Sequence, residues 1–388
     1  MPDLRPRSRF PLLALAILSL LAALWAGLLR LGWSIPPLRP GLDVAHGALM
    51  VSGFLGTLIG LERAVAVARK PAYIAPALTG LGALALIFGV HEPAGAVLIT
   101  AGSAALLGSF AVILSRQTAL FTVTMTLGAL AWFVGNTLWL FGVAIPSMVS
   151  WWAAFLVLTI AGERLELSRM IRPPGLSRPL FAIAAVVFLA GVTASSFWLA
   201  PGMRVAGAGT VALALWLARY DVARRTIYLE GLPRFIAASL LGGYAWLGVS
   251  GVLWLVFAGS MATFPYDAML HSVFLGFVFS MIFAHAPVIF PAVTGKAVPY
   301  RPAFYAHVVL LHLSLLLRIV GGDLVGSLQA YQWGGLLNVV TLLIFLGNTG
   351  FAVMSAPKRK ESDFYQQVHD RTETELMKER ARFSAMSR

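Results

Sequence analysis

The sequence predicts an all-α integral membrane protein, a bundle of about twelve transmembrane helices with both termini in the cytoplasm. Three observations carry this. Of the 388 residues, 59% are hydrophobic and only 12% are charged. The mean hydropathy is +0.82. The apolar residues also come in long runs, most near the ~20 residues that a helix needs to cross a bilayer. A water-soluble fold has no way to cover that much apolar surface.

The runs follow one another in order. A short basic start, MPDLRPRSRF, leads into an apolar stretch from Phe10 to about Trp33. This stretch is longer than the apolar region of a signal peptide, so it is expected to be an uncleaved first span. Further runs begin near Val44, Tyr73, Ala94, Ala119, Ala144, Pro179, Gly202, Arg234, Phe264, Pro302 and Leu328. Residues 1–356 thus form the membrane bundle. Residues 357–388 differ in character: KRKESDFYQQVHDRTETELMKERARF is densely charged, with a helical stripe at Phe364, Val368, Leu376 and Phe383. A charged cytoplasmic tail is expected there, with His369 in solvent.

Charge sets the orientation. The net charge of +13 is not gathered on one soluble face, which argues against nucleic acid as a partner. With alternating sides, one side receives Arg5, Arg7, Arg9, Arg69, Lys70, Arg116, Arg164, Arg169, Arg172 and Arg178. It also receives Arg219, Arg224, Arg225, Arg234, Lys296, Arg301, Lys358, Arg359 and Lys360. The other side keeps little beyond Arg30, Arg39, Arg204 and Arg318. That asymmetry is the positive-inside pattern, and a miscounted span would scramble it. The lipid bilayer is therefore the first partner of the chain.

Cysteine is absent, which excludes disulfides, thiolate metal sites, iron–sulfur clusters and covalent c-type haem. Any metal must be held by His, Met, carboxylates or backbone. No phosphate-binding glycine loop, HExxH motif or nucleophile elbow is present. The loops are short, so any chemistry belongs in the membrane.

Five of the seven histidines lie in or at the edge of spans: His46, His271, His285, His307 and His312. Intramembrane ionisable residues are expensive unless paired or functional. His46 opens the second span. His271 and His285 share the tenth, about 21 Å apart at about 1.5 Å per residue, and about 40° apart on an α-helical wheel. Both imidazoles are thus expected on one face, one in each leaflet. His307 and His312 lie on the eleventh span, about 140° apart on the wheel. Two sites follow as expectations: an outer one from His46 and His271, and an inner one from His285 with His307 or His312. Neutral imidazole ligates haem iron and copper. Metal bonds from His46, His271 and His285, hydrogen bonds across helices, and a proton relay are the three readings of this set.

Other residues fit around such sites. Met50 and Met281 each lie one turn from a histidine, as packing residues or soft ligands. Gly47, Gly53, Gly56 and Gly60 let a helix or a flat macrocycle approach the second span. Arg318, toward the outer end of the eleventh span, either pairs with a haem propionate or snorkels to the interface. The second and sixth spans end in IGLERAVAVAR and TIAGERLELSR, each with an adjacent Glu and Arg. The plainer reading is a pair of interfacial charges; the others are internal pairing, a proton gate, or the trace of a duplication.

The stretch from His271, HSVFLGFVFSMIFAHAPVIFPAVTGKAVPYRPAFYAHVVLLHLSLLLRIVGG, resembles the NnrS family, as does the early AHGALMVSGFLGTLIG span. The resemblance implies a bacterial inner-membrane protein that contains haem b and copper and acts in nitric oxide response. It also implies a distant relation to the large subunit of haem–copper oxidases. His46 and His271 are the positions that the resemblance carries over. The family's HTGR turn reads VTGK here, Val293 to Lys296, and His285, His307 and His312 do not map onto the family pattern. Nitric oxide or a quinone would be the small-molecule partner. Two other functions remain open: a proton-coupled secondary transporter that uses these histidines, with HAPVIFP as a helix break, and a cofactor-free assembly subunit of a respiratory complex.

Overall fold

A computed structural model describes residues 3–90, 92–261 and 264–356. The expected tail at 357–388, with His369, lies outside the described residues. All regular structure among the described residues is helical. In a bilayer this follows from the backbone: each N–H and C=O must be satisfied within its own segment. Among the described residues, twelve helices are long and apolar enough to cross a membrane. They are α1 (Pro6–Arg30), α2 (Asp43–Val67), α3 (Lys70–Phe88), α4 (Pro93–Arg116), α5 (Leu120–Leu140) and α6 (Ile145–Ile171). The remainder are α7 (Ser177–Ser195), α8 (Leu199–Tyr220), α9 (Leu232–Val256), α10 (Phe264–Thr294), α11 (Phe304–Leu324) and α12 (Leu328–Met354). The predicted runs and these helices correspond one to one.

Neighbours in sequence pack as neighbours in space, and α12 returns to touch α1. The most buried helices are α6, α2 and α10. They are four helices apart in the chain, so all three run in the same direction through the bundle. Their interior position explains their composition: they carry His46, Glu62, Arg63, Glu163, Arg164, His271 and His285, which lipid would not tolerate. Helices that face outward expose aliphatic side chains instead, such as Ile183 and Val186 on α7 and Leu215 on α8.

Close helix contact rests on small residues. A Cβ on Gly202 of α8 would stand 2.1 Å from the Ser195 backbone nitrogen of α7, and one on Gly191 of α7 would stand 2.1 Å from that of Ala206. Only glycine admits such an approach.

The start of α1 and the end of α10 meet on one face. There the Arg9 guanidinium donates to the carbonyls of Ala292 and Val293 at 3.1 and 3.2 Å. On the same face Arg301, before α11, donates to Ser355 after α12 at 2.8 Å. This is the basic face of the bundle; the opposite one is the far face.

Among the described residues, three segments are wound wider than an α-helix. Residues Leu49–Gly56 of α2, Ser272–Phe279 of α10 and Leu317–Leu324 of α11 are π-helical. Such wide turns, with i→i+5 bonding, are rare and cluster at functional sites. Two of them begin just after His46 and His271, and the third contains Arg318. The α-helical step of about 100° therefore does not run unbroken from His271 to His285.

Candidate functional site

A cavity of about 1000 Å³ opens in the far half of the bundle. Its walls come from α1, α2, α5, α6, α10, α11 and α12, and are mostly apolar and aromatic. His46 and His271 both line it, together with Met50, Arg30, Asp267 and Arg318. The structure thus brings together the two histidines of the expected outer site, from helices far apart in sequence.

Each imidazole is oriented through Nδ1. That of His46 lies 2.8 Å from the Ala23 carbonyl oxygen of α1. Gly27, one turn further along α1, makes room for the ring: a Cβ there would sit 3.0 Å from His46 Cε1. The His271 Nδ1 lies 3.0 Å from the Asp267 carbonyl and 3.1 Å from its carboxylate. A carbonyl oxygen only accepts, so both rings carry a proton on Nδ1, and Nε2 of each is left without a hydrogen-bond partner among the described residues. This is the arrangement seen when an imidazole is prepared as a metal ligand.

Asp267 is the hub that sequence reasoning missed. Beyond His271, it accepts from Arg318 Nε and Nη2, both at 2.8 Å, and from the Tyr331 hydroxyl at 3.4 Å. The Arg318 guanidinium also lies over the Tyr331 ring, 5.2 Å from its centroid. Arg318 is only 7% exposed. It neither snorkels nor stands free for a propionate; two of its nitrogens are committed to Asp267. The legible signal was the spacing from Asp267 to His271, which is one helical turn.

A second polar assembly lies nearer the basic face. Arg63 of α2 donates to Glu62 at 2.9 Å and to Glu163 of α6, so the two Glu–Arg dipeptides are joined across helices. Arg164 of α6 forms a two-pronged pair with Asp221, at 2.7 and 2.8 Å, and both side chains are almost fully buried. The third prong of Arg164 meets His285 Nε2 at 3.3 Å, while His285 Nδ1 binds the Met281 carbonyl at 2.7 Å. These charges are thus paired across helices.

His285, His307 and His312 do not converge on an inner site; each finds a partner on a different helix. His285 faces Arg164 of α6. His307 is enclosed by aromatic rings, with the Phe283 centroid at 4.6 Å and that of Phe345 at 5.4 Å, and its Nδ1 lies 3.3 Å from Asn348 on α12. His312 Nδ1 accepts from Trp246 Nε1 of α9 at 2.9 Å. The wide angle between His307 and His312 on α11 sends them to these different neighbours. Among the described residues, no group of three or more His, Asp or Glu is placed to hold a metal ion.

An aromatic layer falls between the two assemblies. Phe54 lies between His46 and Glu62 on α2, Phe155 between Trp152 and Arg164 on α6, and Phe279 between His271 and His285 on α10. Phe54 stacks on Phe279 at 5.9 Å, and Phe155 on Trp132 at 4.6 Å.

A family model described as "Domain of unknown function (DUF8744)" matches residues 9–354. No curated protein matches the chain. No solved structure matches it either.

Proposed function

Because the chain belongs to the DUF8744 family, whose activity is undefined, we propose a function from its own geometry. It is a haem-binding protein of the bacterial inner membrane, similar to NnrS proteins, acting in nitric oxide response or membrane redox chemistry. One observation carries this reading: two imidazoles from distant helices share a large apolar cavity, each with Nδ1 tied back and Nε2 free.

The fit to haem b rests on three features. The volume of about 1000 Å³ is at the upper end of the range for small-molecule sites, about 300–1000 Å³. The walls are apolar, as a macrocycle requires. Two histidines without a third protein donor suit an iron whose remaining bonds come from a porphyrin. His46 and His271 would hold the iron, and Arg30, at the rim, is the cation best placed for a propionate. A copper ion held by protein alone would draw on the same two imidazoles and the Met50 thioether. When bound, haem supplies one-electron chemistry and a gas-binding iron. The chain itself orients the ligands: Ala23 and the Asp267 carbonyl fix the tautomers, and Phe279 and Trp152 line the apolar wall. The excess of Arg and Lys in the loops of the basic face supports a cytoplasmic orientation for it, with both ends of the bundle inside.

The test is optical. Protein expressed with haem supply and purified in mild detergent is expected to show a b-type reduced-minus-oxidised spectrum. His46→Ala and His271→Ala should each lose or shift it, and nitric oxide should perturb it. A folded protein with no chromophore and no metal overturns the reading. The buried ion pairs of the second assembly favour one alternative, proton-coupled transport. That alternative expects substrate-driven proton movement in proteoliposomes in the absence of haem.

A further inference from the structure

The far assembly contains one group with no counterpart. Asp323, in the π-helical end of α11, is 5% exposed. Neither of its carboxylate oxygens has a hydrogen-bond partner among the described residues. Its neighbours are Asp267 and Arg318. Those two are already matched: Asp267 receives two bonds from Arg318, one from His271 and one from Tyr331. The pair Asp267–Arg318 is electrically neutral, and none of these bonds reaches Asp323. Asp323 therefore leaves one negative charge unanswered in a protein interior, where unpaired charge is strongly disfavoured.

The local backbone explains how Asp323 comes to be there. It follows Arg318 by five residues. On an α-helix that step turns about 140° away, but with i→i+5 bonding it stacks one turn above, on the same side. The wide turn of α11 thus brings a second carboxylate onto the Arg318–Asp267 pair. Glycines permit the crowding: a Cβ on Gly322 would be 2.7 Å from Tyr331 Cα, and one on Gly334 would be 2.6 Å from the Arg318 backbone nitrogen.

We propose that the Asp323 carboxylate is a binding site for one small monovalent cation, either a proton or Na⁺. One charge is what the site lacks, so a single monovalent cation neutralises it. Oxygen donors are what hard cations require, and loosened helix ends offer carbonyls of this kind in membrane proteins. The charged and titratable groups that face the site are Asp267 and His271 of α10, Arg318 of α11 and Tyr331 of α12. Through Asp267, occupancy of this site would be sensed at the His271 ring and hence in the cavity.

The test uses the purified full chain and requires no haem, so it stands apart from the proposal above. Thermal stability is measured in NaCl against choline chloride at equal ionic strength. The carboxyl stretch is recorded by infrared spectroscopy in H₂O and D₂O. If Na⁺ is the ligand, Tm rises with the logarithm of Na⁺ concentration, and Asp323→Asn abolishes the dependence. If the proton is the ligand, Tm ignores Na⁺, and a protonated-carboxyl band that shifts in D₂O is lost in Asp323→Asn and kept in Asp323→Glu. Should Asp323→Asn fail to fold, the wild type decides: absence of both the Na⁺ dependence and the protonated band overturns the site. A band that persists unchanged in a folded Asp323→Asn protein, with Na⁺ without effect, overturns it as well.

Discussion

Buried ion pairs in this protein differ in what their loss should cost, and exposure decides the order. Asp221 is fully buried, and its carboxylate answers two nitrogens of Arg164. Asp221→Asn leaves a buried guanidinium without a counter-charge and is expected to destabilise by about 3–5 kcal/mol. Glu62 keeps a quarter of its side chain exposed, and Arg63 retains Glu163 when Glu62 is removed. Glu62→Gln should therefore cost much less, and thermal melts of both variants in one detergent would check the ranking. Asp267→Asn is a different experiment. It strips the charge from the carboxylate that answers both Arg318 and His271, so a loss of stability comparable to that of Asp221→Asn is expected, and cofactor affinity should fall about 10–100-fold; thermal melts and a haem titration followed optically would read the two effects.

The twelve helices were legible because each is a long apolar run punctuated by charge, and hydropathy needs no tertiary information to show that. His46 and His271 were legible as a pair because both lie at the far ends of parallel helices. Asp221 and the Asp267–Arg318 pair were not, because those partners lie on different helices and no local period marks such contacts; Asp323 was not, because the wide turn that carries it beside Arg318 leaves no mark in the sequence. The π-helical segments were also hidden. Ser272–Phe279 and Leu49–Gly56 have ordinary helix-forming composition, and their wide turns reflect packing around the cavity. The inner set of histidines failed to assemble for a related reason: wheel angles show direction but not which helix stands in that direction. At this scale the helix contacts also make a prediction. Gly202→Ala forces a methyl against the α7 backbone and should cost at least about 1–3 kcal/mol, whereas Gly108→Ala, with open space around it, should be neutral or slightly stabilising. Denaturation of the two variants side by side would separate packing from propensity.

Across the whole bundle, the basic face gathers the ends of α1, α10 and α12, and the cavity opens on the other side. A fluorescent protein fused after residue 356 is expected to be bright, and a phosphatase inserted near residue 38, between α1 and α2, to be active. The reverse pattern would invert the assigned orientation. The aromatic layer has an electrical consequence. A bilayer's voltage drops where polarisable groups are fewest, and here the cavity above and the ion-pair cluster below both intrude on the insulating slab. Rings closed at Phe54, Phe155 and Phe279 would concentrate the field between these two intrusions. An elementary charge passing between the level of His271 and the level of His285 would then cross a large share of the membrane potential. That step is worth up to about 2.3 kcal/mol per 100 mV, so the layer acts as the dielectric of a thin capacitor, with a histidine near each plate.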